Sequence, residues 1–537
     1  MKPDFDKILR PADTARIESA IRHGATRREL LGMLLAGGMG AALAGSVLGS
    51  ATKAYADTPK KGGSIRAAGY SSGTTDTLDP AKQSLSTDYV RCTSFYNGLT
   101  SLDDKLSPQM DLAESFDTKD SVTWTVKLRK GVTFHDGSTF GPDDVVYSLS
   151  RHKDPAVGSK AKSLADQIGE VKKSGDNEVT IVLTGPNADL PVILGTFHFL
   201  IVKAGTTDFT TANGTGAFKC KEFQPGVHSV AVRNENYWKG TGPYLDQVEF
   251  FAIPDENARV NALLSGDVAL IGSINPRSTQ LIKQAGSFDL LTTTAGNYTD
   301  LNMRLDTAPG SDPNFVEAIK LLLDREQIKT AIYRGYAEVA NDQPVPPTNR
   351  FYNADLPQRA YDPDKAKSLL AKSSLAGTRI PVVASTAADQ SIDMAVLLQQ
   401  SAAQIGLDLD IQKVPADGYW SNYWLKAPIC FGNINPRPTA DILFSLLYTS
   451  NAPWNESHWK SERFDKILVE ARKERDDAKR KEMYGELQKM AHEESGVAIP
   501  VFISNIDAHS SKLKGLKPMA TGGMMGFAFS ENVWLEG

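Results

Sequence analysis

Only one stretch of this 537-residue chain, close to its N-terminus, is long and apolar enough to be anything other than part of a water-soluble domain. No charged residue occurs from position 30 to position 52. Arg27 and Arg28 precede this stretch, and Ala54-Tyr55-Ala56 follows it. A basic segment, an apolar segment and an A-x-A site in this order are typical of a cleaved export signal. The adjacent arginines resemble a twin-arginine signal, which a receptor reads and which does not act as an anchor.

A transmembrane helix is the alternative interpretation of the same stretch, because its length would span a bilayer. Six glycines dilute it, and no second apolar run of that length follows. The processing site stands where a cleaved signal requires it, and position 57 is Asp, not the Cys of a lipid-anchored protein. We therefore predict a twin-arginine-type signal peptide at 1–56 and a mature chain that is soluble in the periplasm.

Length and composition limit what the mature chain can be. Removing 56 residues from 537 leaves 481, too many for one compact core and enough for two or three domains. The net charge is −5, and acidic and basic residues are evenly mixed along the chain. A mildly acidic chain of this kind argues against nucleic acid as a partner. The three cysteines, Cys92, Cys220 and Cys430, are too few and too widely spaced for a disulfide scaffold or a metal site. One bridge, between Cys92 and Cys220, stays open, and no cofactor is predicted.

Periodicity of apolar residues predicts a mixed α/β protein of several modules. The predicted strands are at 64–68, 123–129, 179–183, 248–253, 380–384 and 407–414. The predicted helices are at 142–149, 258–264, 314–331, 393–405, 461–471 and 477–492, with another that begins at Pro363. Asp255 and Asp362 are predicted N-caps, and Gly266 is a predicted helix stop.

Short blocks of sequence along the mature chain resemble one protein family. The blocks are LDP at 78–80, FYNGL at 95–99, LAESF at 112–116, TWTV at 123–126, LRKGVTFHDG at 128–137, GTGAF at 214–218, RNENYW at 233–238, DRE at 324–326 and YDPDKA at 361–366. In this order they are similar to the family 5 extracellular solute-binding proteins, the periplasmic dipeptide, oligopeptide, nickel and opine receptors of ABC importers. Each block alone is a weak signal, whereas the ordered set is specific.

The resemblance implies an α/β, two-lobed periplasmic binding protein fold, type II-like and of cluster C, with an extra small domain inserted in lobe I. Lobe I is expected at 57–295, with the inserted subdomain at about 101–209. Lobe II is expected at 296–504, and 505–537 return to lobe I. Two chain crossings are predicted near 292–302 and 503–508, where a hinge would absorb the closing motion. The implied function is a non-enzymatic, monomeric receptor that hands a small-molecule ligand to transmembrane permease subunits.

A G-x-S-x-G match at 69–73 is the one enzyme-like motif of the chain. It leaves open an alternative, a secreted serine hydrolase that uses Ser71 as its nucleophile. A nucleophile elbow needs a helix directly after the motif, and residues 74–80 have no helical period. In the family this loop lines the cleft, so the resemblance implies that Tyr70 and Ser71 contact ligand.

Aromatic residues are crowded into the stretch from 417 to 459. Tyr419, Trp420, Trp424 and Trp454 are candidate ligand contacts, since flat rings with a polar N–H or O–H suit a cleft that holds a small organic molecule. Burial in a core is the alternative for each of them.

The loop at 431–441 departs from the pattern of the peptide-binding members, which carry a run of aspartates there. Asn433, Asn435 and Arg437 stand where acids are expected, and Asp441 is the nearest carboxylate, at a predicted helix start where it could serve as the N-cap. An arginine favours a carboxylate over an ammonium group. The expected ligand is therefore peptide-like, opine-like or another carboxylate-bearing amino-acid conjugate, although a salt bridge would also explain Arg437.

Two more candidates follow the first predicted crossing. Asn302 and Arg304 are expected near the ligand, Arg304 with the same salt-bridge alternative as Arg437. The eight histidines show no metal-ligand spacing, so no metal site is predicted.

Overall fold

A computed structural model describes residues 59–536, apart from 241, 374 and 376. The predicted signal peptide at 1–56 and its Asp57 junction lie outside the described residues. Within the described part, no helix combines the length and the hydrophobicity needed to cross a membrane.

Strands and helices are interspersed along the described chain, some singly and others in runs of the same kind. The strands are β1 (Ser64–Gly69), β2 (Thr100–Leu102), β3 (Pro108–Met110), β4 (Ala113–Thr118), β5 (Thr123–Leu128), β6 (Ile168–Gly175), β7 (Glu178–Leu183), β8 (Phe218–Gln224), β9 (His228–Arg233), β10 (Gln247–Ala252), β11 (Leu270–Ile271), β12 (Phe288–Met303), β13 (Ala337–Val339), β14 (Arg379–Ala384), β15 (Asp408–Lys413), β16 (Ile429–Ile434), β17 (Val497–Ala498), β18 (Val501–Ser510), β19 (Leu513–Lys514) and β20 (Trp534–Leu535). The α-helices are α1 (Ser86–Phe95), α2 (Pro142–Ser150), α3 (Lys162–Ala165), α4 (Leu190–Ile193), α5 (Glu256–Ser265), α6 (Thr279–Gln284), α7 (Pro313–Leu322), α8 (Arg325–Gln327), α9 (Pro363–Leu370), α10 (Ser391–Gln404), α11 (Tyr419–Asn422), α12 (Ala440–Leu447), α13 (Glu462–Lys473) and α14 (Asp477–Glu494). A single turn at Gly523–Gly526 contains non-helical residues.

One twelve-stranded sheet runs through both halves of the molecule, in the order β15-β14-β16-β12-β18-β11-β1-β10-β9-β8, with β13 and β17 at its side. We call the half with β1 and β8 to β11 lobe I and the half with β14 to β16 lobe II. Two long strands, β12 and β18, join the lobes and pair antiparallel from Phe288 with Ser510 to Thr294 with Ser504. Beyond an irregularity after Thr294, β12 pairs with β16 of lobe II. The segments predicted as crossings, 292–302 and 503–508, therefore lie on these paired strands.

Lobe II contains the strand–helix–strand unit predicted between 380 and 414. Strands β14 and β15 pair in parallel, and α10 connects them. Their apolar side chains share one core with α7, which includes Phe315, Ile380 and Leu398. Because a parallel connection needs a crossover, the helix between the two strands packs on the sheet and completes this core.

Four strands within 101–209 form a separate antiparallel sheet in the order β4-β5-β7-β6. Its inward side chains, among them Trp124, Val126 and Ile181, belong to a hydrophobic cluster that also contains residues of α2. This sheet lies in the range expected for the inserted subdomain. The subdomain and the domain boundaries stay predictions.

Predicted helix ends agree with the structure where a side chain caps the backbone. Asp255 accepts a hydrogen bond from the Ala258 N–H at 2.8 Å, and Gly266 ends α5 with a φ of +85°. Asp362 caps α9 in the same way, at 2.8 Å from the Lys365 N–H. These local interactions need no tertiary contact, which explains why the sequence predicts them well.

The predicted helix at 314–331 is wrong in its extent. Helix α7 ends at Leu322 and Leu323 is extended. Asp324 then caps a new helical segment through the Gln327 N–H at 2.9 Å, and this segment continues as a π-helix over Ile328–Ile332. An aspartate side chain competes for backbone N–H groups, so Asp324 favours a helix start over a helix interior.

The structure also answers the open question of a bridge between Cys92 and Cys220, because the chain's three cysteines are free thiols.

Candidate ligand-binding site

A cavity of about 690 Å³ lies between the two lobes. Lobe I supplies most of its lining, through the loop after β1, helix α1, the loops around 195–198 and 520–527, and part of β18. Lobe II supplies a short segment, Asn435 to Pro438, which directly follows β16. A solute in this cavity would contact both lobes.

Arg437 is the one lysine or arginine among the described residues that line the cavity. Its guanidinium donates to the backbone oxygens of Asn435 and Pro436, both at 3.0 Å, and lies 5.7 Å from the centre of the Trp454 ring. No carboxylate of the described chain forms an ion pair with it. Burial lowers the pKa of Arg437, but an arginine remains protonated at neutral pH. The cavity thus contains a cation without an anionic partner.

Tyr70 and Ser71 line the cavity from lobe I, in the loop that follows β1. The Ser71 hydroxyl lies 2.9 Å from that of Ser86, and the Ser71 carbonyl accepts from the Thr87 hydroxyl at 2.7 Å. No described histidine is hydrogen-bonded to Ser71. Helix α1 begins only at Ser86, so the strand–turn–helix context of a nucleophile elbow is absent at residues 69–73.

Three rings from distant parts of lobe I form an aromatic wall of the cavity. Tyr89, Phe197 and Phe527 contact one another, with ring centroids 5.2 to 5.3 Å apart. Sequence reasoning missed this wall because the three residues lie more than 100 positions apart in the chain and meet only in the folded protein. We refer to these three rings as the aromatic wall.

The lobe II aromatics predicted as ligand contacts lie outside the cavity lining. Tyr419 is buried, and its hydroxyl donates to the Phe431 carbonyl at 2.7 Å. Trp420 is 41% exposed and meets Trp424 edge-on at 5.6 Å, and Trp424 meets Trp454 at 5.5 Å. The three tryptophans thus form a row from the surface of lobe II to the guanidinium of Arg437.

Asn302 belongs to a buried polar cluster in lobe II, together with Asp300 and Glu456. These side chains pack around Gly432, where a Cβ atom would overlap both carboxyl groups. The Trp424 indole N–H donates to Glu456 at 2.5 Å. Burial raises the pKa of Asp300 to about 6 and that of Glu456 well above its usual range. At neutral pH the pair therefore holds a proton, because two adjacent buried carboxylates repel each other.

The other predicted polar residues are bound to nearby groups. Arg304 binds Asp306 at 2.8 and 3.0 Å, and Asn433 donates to the Thr299 hydroxyl at 3.0 Å. Asp441 is buried and forms an ion pair with Arg472 at 2.9 Å. The N-cap role considered for Asp441 belongs to Thr439, whose hydroxyl accepts from the Ile442 N–H at 3.1 Å.

The structure thus brings together four of the predicted site residues. Tyr70, Ser71, Asn435 and Arg437 line the cavity. The predicted residues outside its lining are Asn302, Arg304, Tyr419, Trp420, Trp424, Asn433, Asp441 and Trp454.

Asp507 is a lining residue that sequence reasoning missed, and it is the one carboxylate among the described lining residues. It lies on β18 and accepts hydrogen bonds from the Ser273 N–H at 3.1 Å and from the Met524 N–H. Burial raises its pKa to about 6. Nothing near position 507 in the sequence distinguishes it from an ordinary aspartate of a strand.

Comparisons with known proteins agree with this architecture. The model of "Bacterial extracellular solute-binding proteins, family 5 Middle" matches residues 107–456. The chain is 28% identical over 469 residues to the dipeptide-binding protein of Escherichia coli (strain K12), covering 80% of this chain and 86% of that protein.

Two solved structures share the fold. The MppA periplasmic murein tripeptide binding protein, in its unliganded open form, has a TM-score of 0.79 at 19% identity and covers 89% of this chain and 98% of its own. AgaA in complex with agropinic acid, from A.tumefacien R10, has a TM-score of 0.68 at 23% identity and covers 88% and 99%. The predicted two-lobed α/β fold is confirmed.

Proposed function

We propose a function from one premise: the chain belongs to family 5 of the bacterial extracellular solute-binding proteins. This is a family of binding receptors and not of enzymes, so the serine-hydrolase alternative at Ser71 is wrong. The protein captures a small organic solute that carries a carboxylate group and delivers it to the permease subunits of an ABC transporter. A peptide-like molecule, an opine-like molecule and another amino-acid conjugate all fit this description.

The observation that carries the proposal is the unpaired guanidinium of Arg437 in the interlobe cavity. A planar guanidinium binds a carboxylate through two parallel hydrogen bonds, and such a bond is strong where water is excluded. The relatives differ in ligand, since one is named for dipeptides and another was solved with agropinic acid. The ligand class is therefore argued from this charge and not from the fold.

Lobe closure follows from the position of the cavity. Arg437 approaches from lobe II, whereas Tyr70, Ser71 and the aromatic wall belong to lobe I. A solute that needs both sides binds the closed form more tightly than the open form, so binding shifts the population toward closure. The paired strands β12 and β18 are the connection about which the lobes would move.

Native mass spectrometry of the protein purified from its own periplasm tests the ligand class, since the mass of a retained solute identifies it. Arg437→Ala is expected to weaken binding of that solute by about 2–5 kcal/mol, because a buried carboxylate would lose its partner. Arg437→Lys is expected to be nearly as poor, since an ammonium group does not replace a bidentate fork. Arg304→Ala is the matched control, because Asp306 occupies its guanidinium outside the cavity. A retained solute without a carboxylate, or equal affinity in all three variants, would contradict the proposal.

Family members act in the periplasm or outside the cell, and we propose that this chain acts in the periplasm. We further propose that it is exported by the twin-arginine route, which the residues at its N-terminus resemble. The twin-arginine signal at 1–56 would deliver an already folded, soluble and monomeric receptor. Replacing Arg27 and Arg28 together by Lys is expected to leave the precursor in the cytoplasm. Export of that double variant at the normal level would exclude the twin-arginine route.

A further inference from the structure

Asp507 is buried at the cavity without a cation beside it. Its two hydrogen bonds come from backbone N–H groups, and no described lysine, arginine or histidine forms an ion pair with it. His198, which lines the same cavity, is neutral at pH 7 because burial lowers its pKa. Arg437 belongs to the other lobe and forms no ion pair with Asp507. A buried carboxylate in this situation is poorly compensated.

The chain segment that covers Asp507 has an unusual backbone. Met524, Met525 and Phe527 have positive φ values of 50°, 58° and 64°, and Gly526 between them has 64°. Side chains other than glycine rarely adopt this conformation, and a run of such residues persists only where the surroundings enforce it. The Asp507 carboxylate binds the start of this turn, and the Thr93 hydroxyl donates to the Phe527 carbonyl at 2.6 Å at its end.

The turn therefore connects the carboxylate to the aromatic wall. Asp507 binds the first half of the turn through the Met524 N–H. The last residue of the turn, Phe527, contacts Tyr89 and Phe197. Gly272 packs against this turn, since a Cβ atom at its position would lie 2.9 Å from the sulfur of Met524. An anionic group and an apolar surface are thus positioned together in lobe I.

We propose that Asp507 binds a cationic group of the solute, an ammonium or a guanidinium, while the aromatic wall packs against an apolar part of the same molecule. This rests on the proposed function, in which Arg437 binds the carboxylate of that solute from lobe II. The ligand is then a zwitterion with its positive end on lobe I and its negative end on lobe II.

Anchoring the turn does not use the whole hydrogen-bonding capacity of Asp507. A carboxylate has about four lone-pair positions, and the two backbone N–H groups occupy only part of them. A solute cation would bind the remaining ones and compensate the charge at the same time. A solute with a carboxylate alone would satisfy Arg437 and leave Asp507 without a partner.

Three related probes separate the two ends of the site: the dipeptide Phe-Ala, its N-acetyl derivative and its C-terminal amide, each titrated by calorimetry. Acetylation removes the ammonium group, and amidation removes the carboxylate. We expect acetylation to weaken binding to the native protein by about thirtyfold or more, the loss typical of a desolvated charged pair. In Asp507→Asn the acetylation penalty is expected to disappear, whereas the amidation penalty remains.

Asp300→Asn is the matched control, because it replaces a buried aspartate of similarly raised pKa outside the cavity. It should keep the full acetylation penalty. If Asp507→Asn fails to fold, the comparison of Phe-Ala with its N-acetyl derivative on the native protein still decides. Equal binding of these two, an acetylation penalty that persists in Asp507→Asn, or no binding of any probe would overturn the inference. A penalty for amidation alone would retain the role of Arg437 and remove that of Asp507.

Discussion

Asp189 is predicted to stabilise the contact between the inserted-subdomain range and lobe II. Its carboxylate lies 2.8 Å from Arg480 on α14 and 3.1 Å from Arg350, and the side chains of Asp189 and Arg480 are each only 2% exposed. Asp189→Ala would leave the Arg480 charge buried without its main partner, which typically costs about 3–5 kcal/mol. We expect the lower end, about 3 kcal/mol, because the Arg480 Nε keeps its hydrogen bond to the Ala471 carbonyl at 3.2 Å.

Urea unfolding followed by tryptophan fluorescence and circular dichroism measures this loss. Asp477→Ala is the matched control, since Asp477 contacts the same two arginines, Arg350 at 3.4 Å and Arg480 at 3.9 Å, but is 67% exposed. Its removal is expected to cost less than about 1 kcal/mol. Equal effects of the two substitutions, or a loss below about 1 kcal/mol for Asp189→Ala, would refute the argument that burial sets the strength of this contact.

Other predictions concern pH, thiols and closure. Burial raises the pKa of Asp300 from 3.8 to about 6, so its ionisation destabilises the folded protein as pH rises from about 4 to 6. Asp300→Asn should therefore raise the free energy of unfolding by about 1–3 kcal/mol at pH 8 and by less at pH 5, as measured by urea unfolding. A lower free energy of unfolding at pH 8 would contradict this. Because Cys92, Cys220 and Cys430 are free, a reducing agent should leave the thermal midpoint unchanged, and a fall on reduction would reveal a bridge. Addition of the retained solute should change tryptophan fluorescence and reduce the radius of gyration with the same midpoint, and different midpoints would separate binding from closure.

Local sequence patterns predicted much of the fold. Asp255 and Asp362 cap helices at the expected positions, and 380–414 forms the expected strand–helix–strand unit. Such features depend on neighbours within a few residues, so they can be read without a tertiary structure. The helix predicted at 314–331 failed for a local reason as well, because the capping preference of Asp324 outweighs the apolar period around it.

The sequence predicted some residues of the candidate site correctly and others incorrectly. Arg437 was found because it departs from an expected run of acids, and the structure places it in the cavity. Trp420 and Trp424 share its neighbourhood in the chain but lie outside the lining. A cluster of aromatic residues in the sequence does not show where their side chains point. Packing within lobe II determines that.

By itself, the sequence determined the family, the α/β architecture and the presence of an arginine, Arg437, in the loop at 431–441. The tertiary structure alone decided which groups line the cavity together with that cation. Tyr89, Phe197, Asp507 and Phe527 are far apart in the chain and meet only because β18 returns to lobe I and the turn after it folds back on α1. These residues come together because distant segments of the chain pack around one core. Local sequence patterns do not show which distant segments will be in contact.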